Sequence, residues 1–361
     1  MIARYACRVA GEVDPRLLWK LACRCGWANM RAIQRFERRL KQGQFFPAFL
    51  FLSVTNRCNL SCKGCWVSPT DPPQELSLSA LDNLIGECKA MGSSFFGILG
   101  GEPLLHDGLV ELFEKHKDCY FILFTNGTLL DGAVAAHLRR ARNVTPLISV
   151  EGRAEESDAR RGGVGVYGAA MDALRVCREH RLFTGVATSI SGNSIGELAT
   201  DRFVDEMAER GAHYLWYYIY RPVGPHPSPE RALNTEQILD LRRFIVDARL
   251  RAPLLIVDAY WDHEGRAVCP AVSGIAHHVA PGGAVELCPV LQFAKENIGD
   301  GSNLRALFGN SELLRAFRVE TARRTRGCVI MEDPHWLADF ARAHHAADSS
   351  GRGTFFDELD A

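Results

Sequence analysis

Three cysteines in one short loop are the residues best placed to do chemistry. Cys58, Cys62 and Cys65 lie in Thr55-Asn-Arg-Cys-Asn-Leu-Ser-Cys-Lys-Gly-Cys-Trp66, a C-x3-C-x2-C spacing with no fourth cysteine nearby. A structural zinc site normally takes four ligands, often as C-x2-C pairs, so this set is one short. Three thiolates suit three irons of a [4Fe–4S] cube and leave the fourth iron open to a small molecule. Thiolate is the usual ligand of such clusters, whose potentials fall to about −700 mV. The competing readings are a set of zinc ligands, or three cysteines that share a loop without a metal.

The surrounding pattern says what must hold this loop. Apolar, β-branched or aromatic runs fall at 48–54, 95–99, 120–125, 145–150, 183–190 and 214–220. Helical patterns near 79–91, 108–117, 131–141, 168–181 and 196–210 separate them. Such alternation implies parallel βαβ units, and runs such as Phe121-Ile-Leu-Phe fit strands buried on both faces. In parallel sheets ligands bind outside the carboxyl ends of the strands. The three-cysteine loop follows the first strand directly, so the loops after the other strands are its expected neighbours.

With its cysteine loop so placed, the chain resembles the radical S-adenosylmethionine (SAM) superfamily, whose signature is C-x3-C-x2-C after the first barrel strand. The later strand ends agree in family order. Gly100-Gly101-Glu102-Pro103 resembles the segment that bonds the SAM amino group. Thr125-Asn126-Gly127 is similar to the turn beside SAM, and Ser149-Val-Glu151-Gly to the segment that contacts the ribose. In Arg160-Arg161-Gly, the resemblance assigns Arg161 to the SAM carboxylate; Ser189 is a further ribose candidate, and Tyr220-Arg221-Pro-Val-Gly matches a strand end that lies against adenine. One position departs: the residue before the third cysteine, often aromatic in the family and near the adenine, is Gly64; Trp66 either takes over that contact or packs against the cysteine loop. The resemblance implies a partial (β/α)6 barrel of parallel strands, an α/β fold, over residues 45–225.

A second set follows. Cys269, thirteen residues, Gly283, four residues and Cys288 resemble the opening of the SPASM/twitch extension, which carries auxiliary [4Fe–4S] clusters in many relatives. Only Cys328 is available to complete it, so one auxiliary cluster on Cys269, Cys288 and Cys328 is expected over residues 226–340, its fourth iron either open or held by a non-cysteine ligand such as His335. The competing reading is ordinary core cysteines in a degenerate extension. Cys88, Cys119 and Cys177 sit in apolar contexts and read as structural. Cys23 and Cys25 point too far apart on a helix to share a metal.

Residues 1–44 read as an N-terminal helical segment. Over 16–41, Leu18, Leu21, Cys25, Ala28, Ala32, Phe36 and Leu40 share one face, and eight Lys/Arg stand against the single acid Glu37. Such a helix either packs on the main domain with a solvated basic face or makes a peripheral contact with an anionic membrane. Residues 341–361, through Asp348-Ser-Ser-Gly-Arg-Gly-Thr, read as a flexible tail.

Composition limits the alternatives. The 361 residues carry a net charge of −1, which argues against a nucleic-acid binder. No apolar run is long enough to span a bilayer, the start lacks a secretory signal, and a cytoplasmic protein is expected. Twelve cysteines are many for a reducing compartment, which favours metal ligation for some of them. The resemblance implies reductive cleavage of SAM and hydrogen abstraction from a substrate C–H. It also implies an electron donor such as flavodoxin or ferredoxin, and a peptide or protein substrate. A lipid or other small molecule is the alternative substrate, and a non-catalytic iron–sulfur or zinc scaffold the alternative class. No acid or base residue is singled out as catalytic.

Overall fold

The structure, a computed structural model, describes residues 2–258, 260–261, 267–299 and 303–359. The apolar runs form strands β1 (Phe49–Ser53), β2 (Phe95–Leu99), β3 (Tyr120–Thr125), β4 (Val144–Ser149), β5 (Gly185–Ile190) and β6 (Tyr214–Ile219), all parallel. Leu50, Leu52, Phe96, Phe121 and Leu215 are wholly buried, as strands between a helical layer and a filled lumen require.

Helices connect them. α1 (Ile2–Glu12), α2 (Pro15–Lys20) and α3 (Asn29–Lys41) precede the sheet; α4 (Leu78–Ala90), α5 (Leu109–Lys115), α6 (Gly132–Ala141), α7 (Ala154–Arg161), α8 (Val166–Glu179), α9 (Ile195–Leu198) and α10 (Asp201–Glu209) lie within it. Side-chain caps fix several starts: Ser77 accepts from the Ala80 N–H at 3.2 Å and Asp131 from the Val134 N–H at 2.9 Å, each satisfying an amide that the first turn leaves unpaired. The single helix expected over 16–41 is continuous, but its Leu21–Ala28 stretch is π-helical.

The sheet extends further than the expected six strands. Its order is β7-β6-β5-β4-β3-β2-β1-β8-β9. β7 (Leu255–Asp258) joins β6 in parallel, although the sequence placed this strand in the extension. β8 (Ala276–Val279) runs parallel to β1, and β9 (Val285–Glu286) pairs antiparallel with β8. The partial barrel is therefore open between β7 and β9. Register pairs Ser53 with Leu99, Thr125 with Ile148 and Ile190 with Ile219, so the carboxyl ends of the strands and the loops after them gather on one rim.

Beyond β6 lie α11 (Thr235–Arg251), α12 (Pro270–Ser273), α13 (Leu304–Asn310), α14 (Glu312–Arg324), α15 (Val329–Glu332) and α16 (Pro334–Ala343). The last stretch is not loose where it is described. β11 (Ala347–Asp348) pairs with β10 (Phe293–Ala294), and α17 (Phe355–Leu359) buries Phe355 completely. The polar run 348–354 hides this anchoring because the phenylalanine that docks it comes afterwards. Among the described residues no helix is long and apolar enough to cross a membrane.

Candidate active site

The three-cysteine loop is clasped along its length by the other strand ends. At its start, the Gly101 N–H donates to the Thr55 carbonyl and the Glu102 N–H to the Arg57 carbonyl, both at 2.8 Å. A Cβ on Gly101 would stand 2.1 Å from the Arg57 oxygen and one on Gly100 2.7 Å from the Thr55 oxygen. These glycines thus admit the cysteine loop's own backbone.

Glu102 is fully buried, and burial pushes its pKa up. Oε1 accepts from the Thr125 hydroxyl at 2.8 Å and the Leu104 N–H at 3.1 Å; Oε2 accepts from the Asn126 N–H at 2.8 Å. The carboxylate brackets the loop after β2 to the loop after β3, with Pro103 buried at the bend. Asn126 in turn donates to the Asn59 side chain at 2.9 Å, inside the cysteine loop.

The opposite flank is built from β4 and α7. The Lys63 N–H donates to the Arg160 carbonyl at 2.7 Å. Glu151 accepts from Arg160 at 2.5 Å, Arg161 at 2.7 Å and the Ser189 N–H at 3.0 Å. Arg161 also directs Nη1 toward the Cys62 sulfur at 3.9 Å. Burial works against its charge, but Glu151 and Cys62 hold its pKa above the ordinary value. Ser149 is half-buried at the end of β4. The structure therefore brings Gly101, Glu102, Asn126 and Arg161 against one loop, and ties Ser189 to it through Glu151. It also shows Glu102 and Glu151 engaged by protein donors, roles that residue type alone did not reveal.

Tyr220 occupies the space beside Gly64. A Cβ on Gly64, whose φ is +70°, would meet the tyrosine ring at 2.8 Å. The aromatic next to the third cysteine is thus supplied by β6's end; Trp66 instead sets its ring edge-on to His278 at 6.0 Å. The Tyr220 hydroxyl is buried with no hydrogen-bond partner. His278 belongs to a buried chain that sequence reading missed: Ser53 Oγ lies 2.7 Å from His278 Nε2, and His278 Nδ1 2.6 Å from Glu286. Its members come from strands more than 200 residues apart in the chain, so no local pattern announces it.

The donor set fits an iron–sulfur cube. Burial, and then Cys62, push the Cys65 thiol up to about 11; burial raises Cys58. Metal binding must displace those protons, as it does at thiolate sites generally. Among the described residues, the group whose three ligand atoms lie within 4.8 Å of one another is His116, Asp118 and Cys119, not either cysteine triplet. At the His116 group, Lys89 holds Asp118 at 2.7 Å and Asp82 engages His116 at 2.9 Å, a surface charge network.

Cys269, Cys288 and Cys328 converge on Arg221 at the end of β6. Its Nε lies 3.1 Å from the Cys328 sulfur. Burial opposes the guanidinium charge, yet Cys328, Cys288 and Cys269 together raise its pKa. Burial lifts the Cys269 thiol to about 11 and Cys288 higher still. His335 sits exposed in the first turn of α16. Cys88, Cys119 and Cys177 are wholly buried core residues, as expected.

A parallel sheet whose strand ends converge on a three-cysteine loop defines an α/β fold with a three-thiol site on the barrel rim. Residues 52–204 match the radical SAM superfamily, so that stretch is similar to a radical SAM domain. Among curated relatives, the Fe-coproporphyrin III synthase of Methanosarcina barkeri is 28% identical over 58% of this chain and 55% of its own length. The mycofactocin maturase MftC of Mycolicibacterium smegmatis is 28% identical over 80% of this chain and 76% of its own. The chain spans about half the length of the first curated relatives it matches. Among solved structures, Streptococcus suis SuiB bound to precursor peptide SuiA superposes with a TM-score of 0.67 at 15% identity, over 80% of this chain and 71% of that one. The matched stretch takes in the three-cysteine loop and the loops after β2, β3, β4 and β5.

Proposed function

We propose that Cys58, Cys62 and Cys65 hold a [4Fe–4S] cluster that binds SAM, and that the enzyme modifies a peptide or protein by hydrogen abstraction from an unreactive C–H bond. A cluster held there would supply the electron that cleaves the SAM carbon–sulfur bond to methionine and a 5′-deoxyadenosyl radical. The chain's residues orient and exclude water, the usual share of a protein whose cofactor does the hard step. Glu102 and Asn126 fix the loop after β3 against the cysteines, Arg160 and Arg161 fix Glu151, and Tyr220 closes the space over Gly64. The observation that carries the reading is this clasp: four strand-end segments bond or abut residues 55–66 in chain order.

We assign a second cluster to Cys269, Cys288 and Cys328, a flavodoxin or ferredoxin as electron donor, and the cytoplasm as location; none of the twelve cysteines pairs in a disulfide, which fits a reducing compartment. The peptide substrate is favoured because MftC, a maturase by name, matches most of both chains. The relative named Fe-coproporphyrin III synthase supports a second reading, a small-molecule substrate, but its match stops near half its length.

Anaerobic reconstitution with iron and sulfide tests both assignments. The enzyme should release 5′-deoxyadenosine from SAM and dithionite and bind about eight irons per chain, two cubes' worth. Cys58→Ala should abolish the product and remove about four irons. Turnover that survives Cys58→Ala would overturn the reading, and four irons in the native enzyme would remove the second cluster.

A further inference from the structure

The helical layer over residues 15–41 keeps a face that the barrel does not use. Leu17, Ala32 and Phe36 are buried against the sheet side, whereas Trp19, Trp27 and Met30 are exposed by 71%, 61% and 52%. Single exposed apolar side chains are ordinary, whereas large ones grouped on one face mark an interaction surface. On a pure α-helix, residues eight apart drift by about 80° around the axis. The wider turns of the π-helical Leu21–Ala28 stretch offset that drift. Trp19 and Trp27 consequently line one open groove of about 530 Å³ together with Lys20, Arg24, Arg31 and Arg35.

The charge of this groove is uncompensated. Its one acid, Asp118, is already paired with Lys89 at 2.7 Å. Lys20 and Arg35 are tied to backbone carbonyls of Lys117 and Gly92, which neutralise nothing. Arg24 and Arg31 make no ion pair or hydrogen bond among the described residues. Crowding is felt at Lys20, whose pKa is lowered by burial and by Arg24.

We propose that this groove and the flanking Met30 form a peripheral membrane contact that seats on an anionic phospholipid surface. Indoles favour the headgroup boundary of a bilayer, and basic amphipathic helices bind there through apolar insertion plus attraction to anionic lipid. The exposed indoles and the free arginines line the same open groove, which suits a flat, charged interface better than the enclosed subsites a peptide chain needs. The inference is independent of the cluster assignments.

Vesicle flotation of the full chain tests it, with phosphatidylglycerol–phosphatidylcholine vesicles against phosphatidylcholine alone. Binding should require the anionic lipid, fall at least about tenfold when salt is raised severalfold, because surface potentials are screened, and blue-shift the tryptophan emission. Trp19→Ser with Trp27→Ser should abolish the shift and weaken binding about tenfold. Arg24→Glu with Arg31→Glu should do the same to affinity, and unchanged far-UV circular dichroism will show that both variants fold. Equal binding to the two vesicles, no binding at low salt, or binding untouched by both double variants overturns the proposal. So does tight binding to polyglutamate in the absence of vesicle binding, which would reassign the groove to an acidic polypeptide.

Discussion

Arg221 places its Nε 3.1 Å from the sulfur of Cys328, while its neighbour Tyr220 packs against Gly64 beside the first cysteine loop. Two consecutive residues at the end of β6 therefore touch both cysteine sets. A strand end is rigid, so the distance between the two sets is fixed by one dipeptide.

A buried cation beside a redox centre favours the state with the extra electron. With the second cluster assembled, Arg221→Met should shift its midpoint to a more negative potential by several tens of millivolts, on the scale of about 59 mV per tenfold change for one electron. Electron paramagnetic resonance during a redox titration reads the shift. An unchanged midpoint with iron content intact would mean that the guanidinium has no electrostatic hold on the centre.

Gly101 is the tightest point of the clasp. Gly101→Ala would set a methyl group 2.1 Å from the Arg57 carbonyl oxygen, a backbone atom that cannot rotate away. The loop must then move by more than an ångström, which breaks the 2.8 Å bonds from Gly101 and Glu102. The variant should reconstitute about half the native iron while its C-terminal site fills normally, as measured by iron and sulfide assay.

The cluster loop and its order of neighbours were legible because each piece is local: a cysteine spacing, a turn after a strand, an apolar run of the right length. The six strands were readable from the same signals, and their observed bounds differ from the expected ones by at most two residues. What escaped are the links between distant segments. Ser53, His278 and Glu286 meet only because β8 slides in beside β1. Arg160, next to the predicted Arg161, carries an equal share of Glu151, and adjacent arginines cannot be ranked by type. The segment 348–354 has the composition of a tail, and only Phe355 beyond it shows that it is held.

Stability should fall in mild acid. His213 and His277 are buried, and burial lowers each pKa to about 4, below the unfolded value of about 6.5. Between those values the unfolded chain binds more protons than the folded one, so stability is full above pH 6.5 and is lost as pH falls toward 4. From pH 7 to pH 5 each histidine should cost about 2 kcal/mol, measured by urea unfolding of the apoprotein. His277→Gln should remove about half of this pH dependence; a slope identical to the parent's would assign the acid sensitivity elsewhere.

Arg352 is the knot of the C-terminal strap. Its guanidinium donates to Glu358 at 2.7 and 2.8 Å, to Gln292 at 2.9 Å and to the Trp66 carbonyl at 3.3 Å. Glu358 also accepts from the Gly224 N–H at 3.1 Å, so one buried ion pair joins the cysteine loop, the end of β6 and the extension. Arg352→Ala would leave the Glu358 carboxylate buried without its countercharge, a loss of about 3 kcal/mol or more. Arg352→Ala with Glu358→Ala should recover part of that loss, because no charge is then stranded, yet the tie to Trp66 stays broken. The single variant should therefore unfold earlier in urea than the double, and both should bind SAM more weakly than the parent by equilibrium dialysis. If the double variant is no more stable than the single, the strap holds by packing of Phe355 rather than by this charge pair.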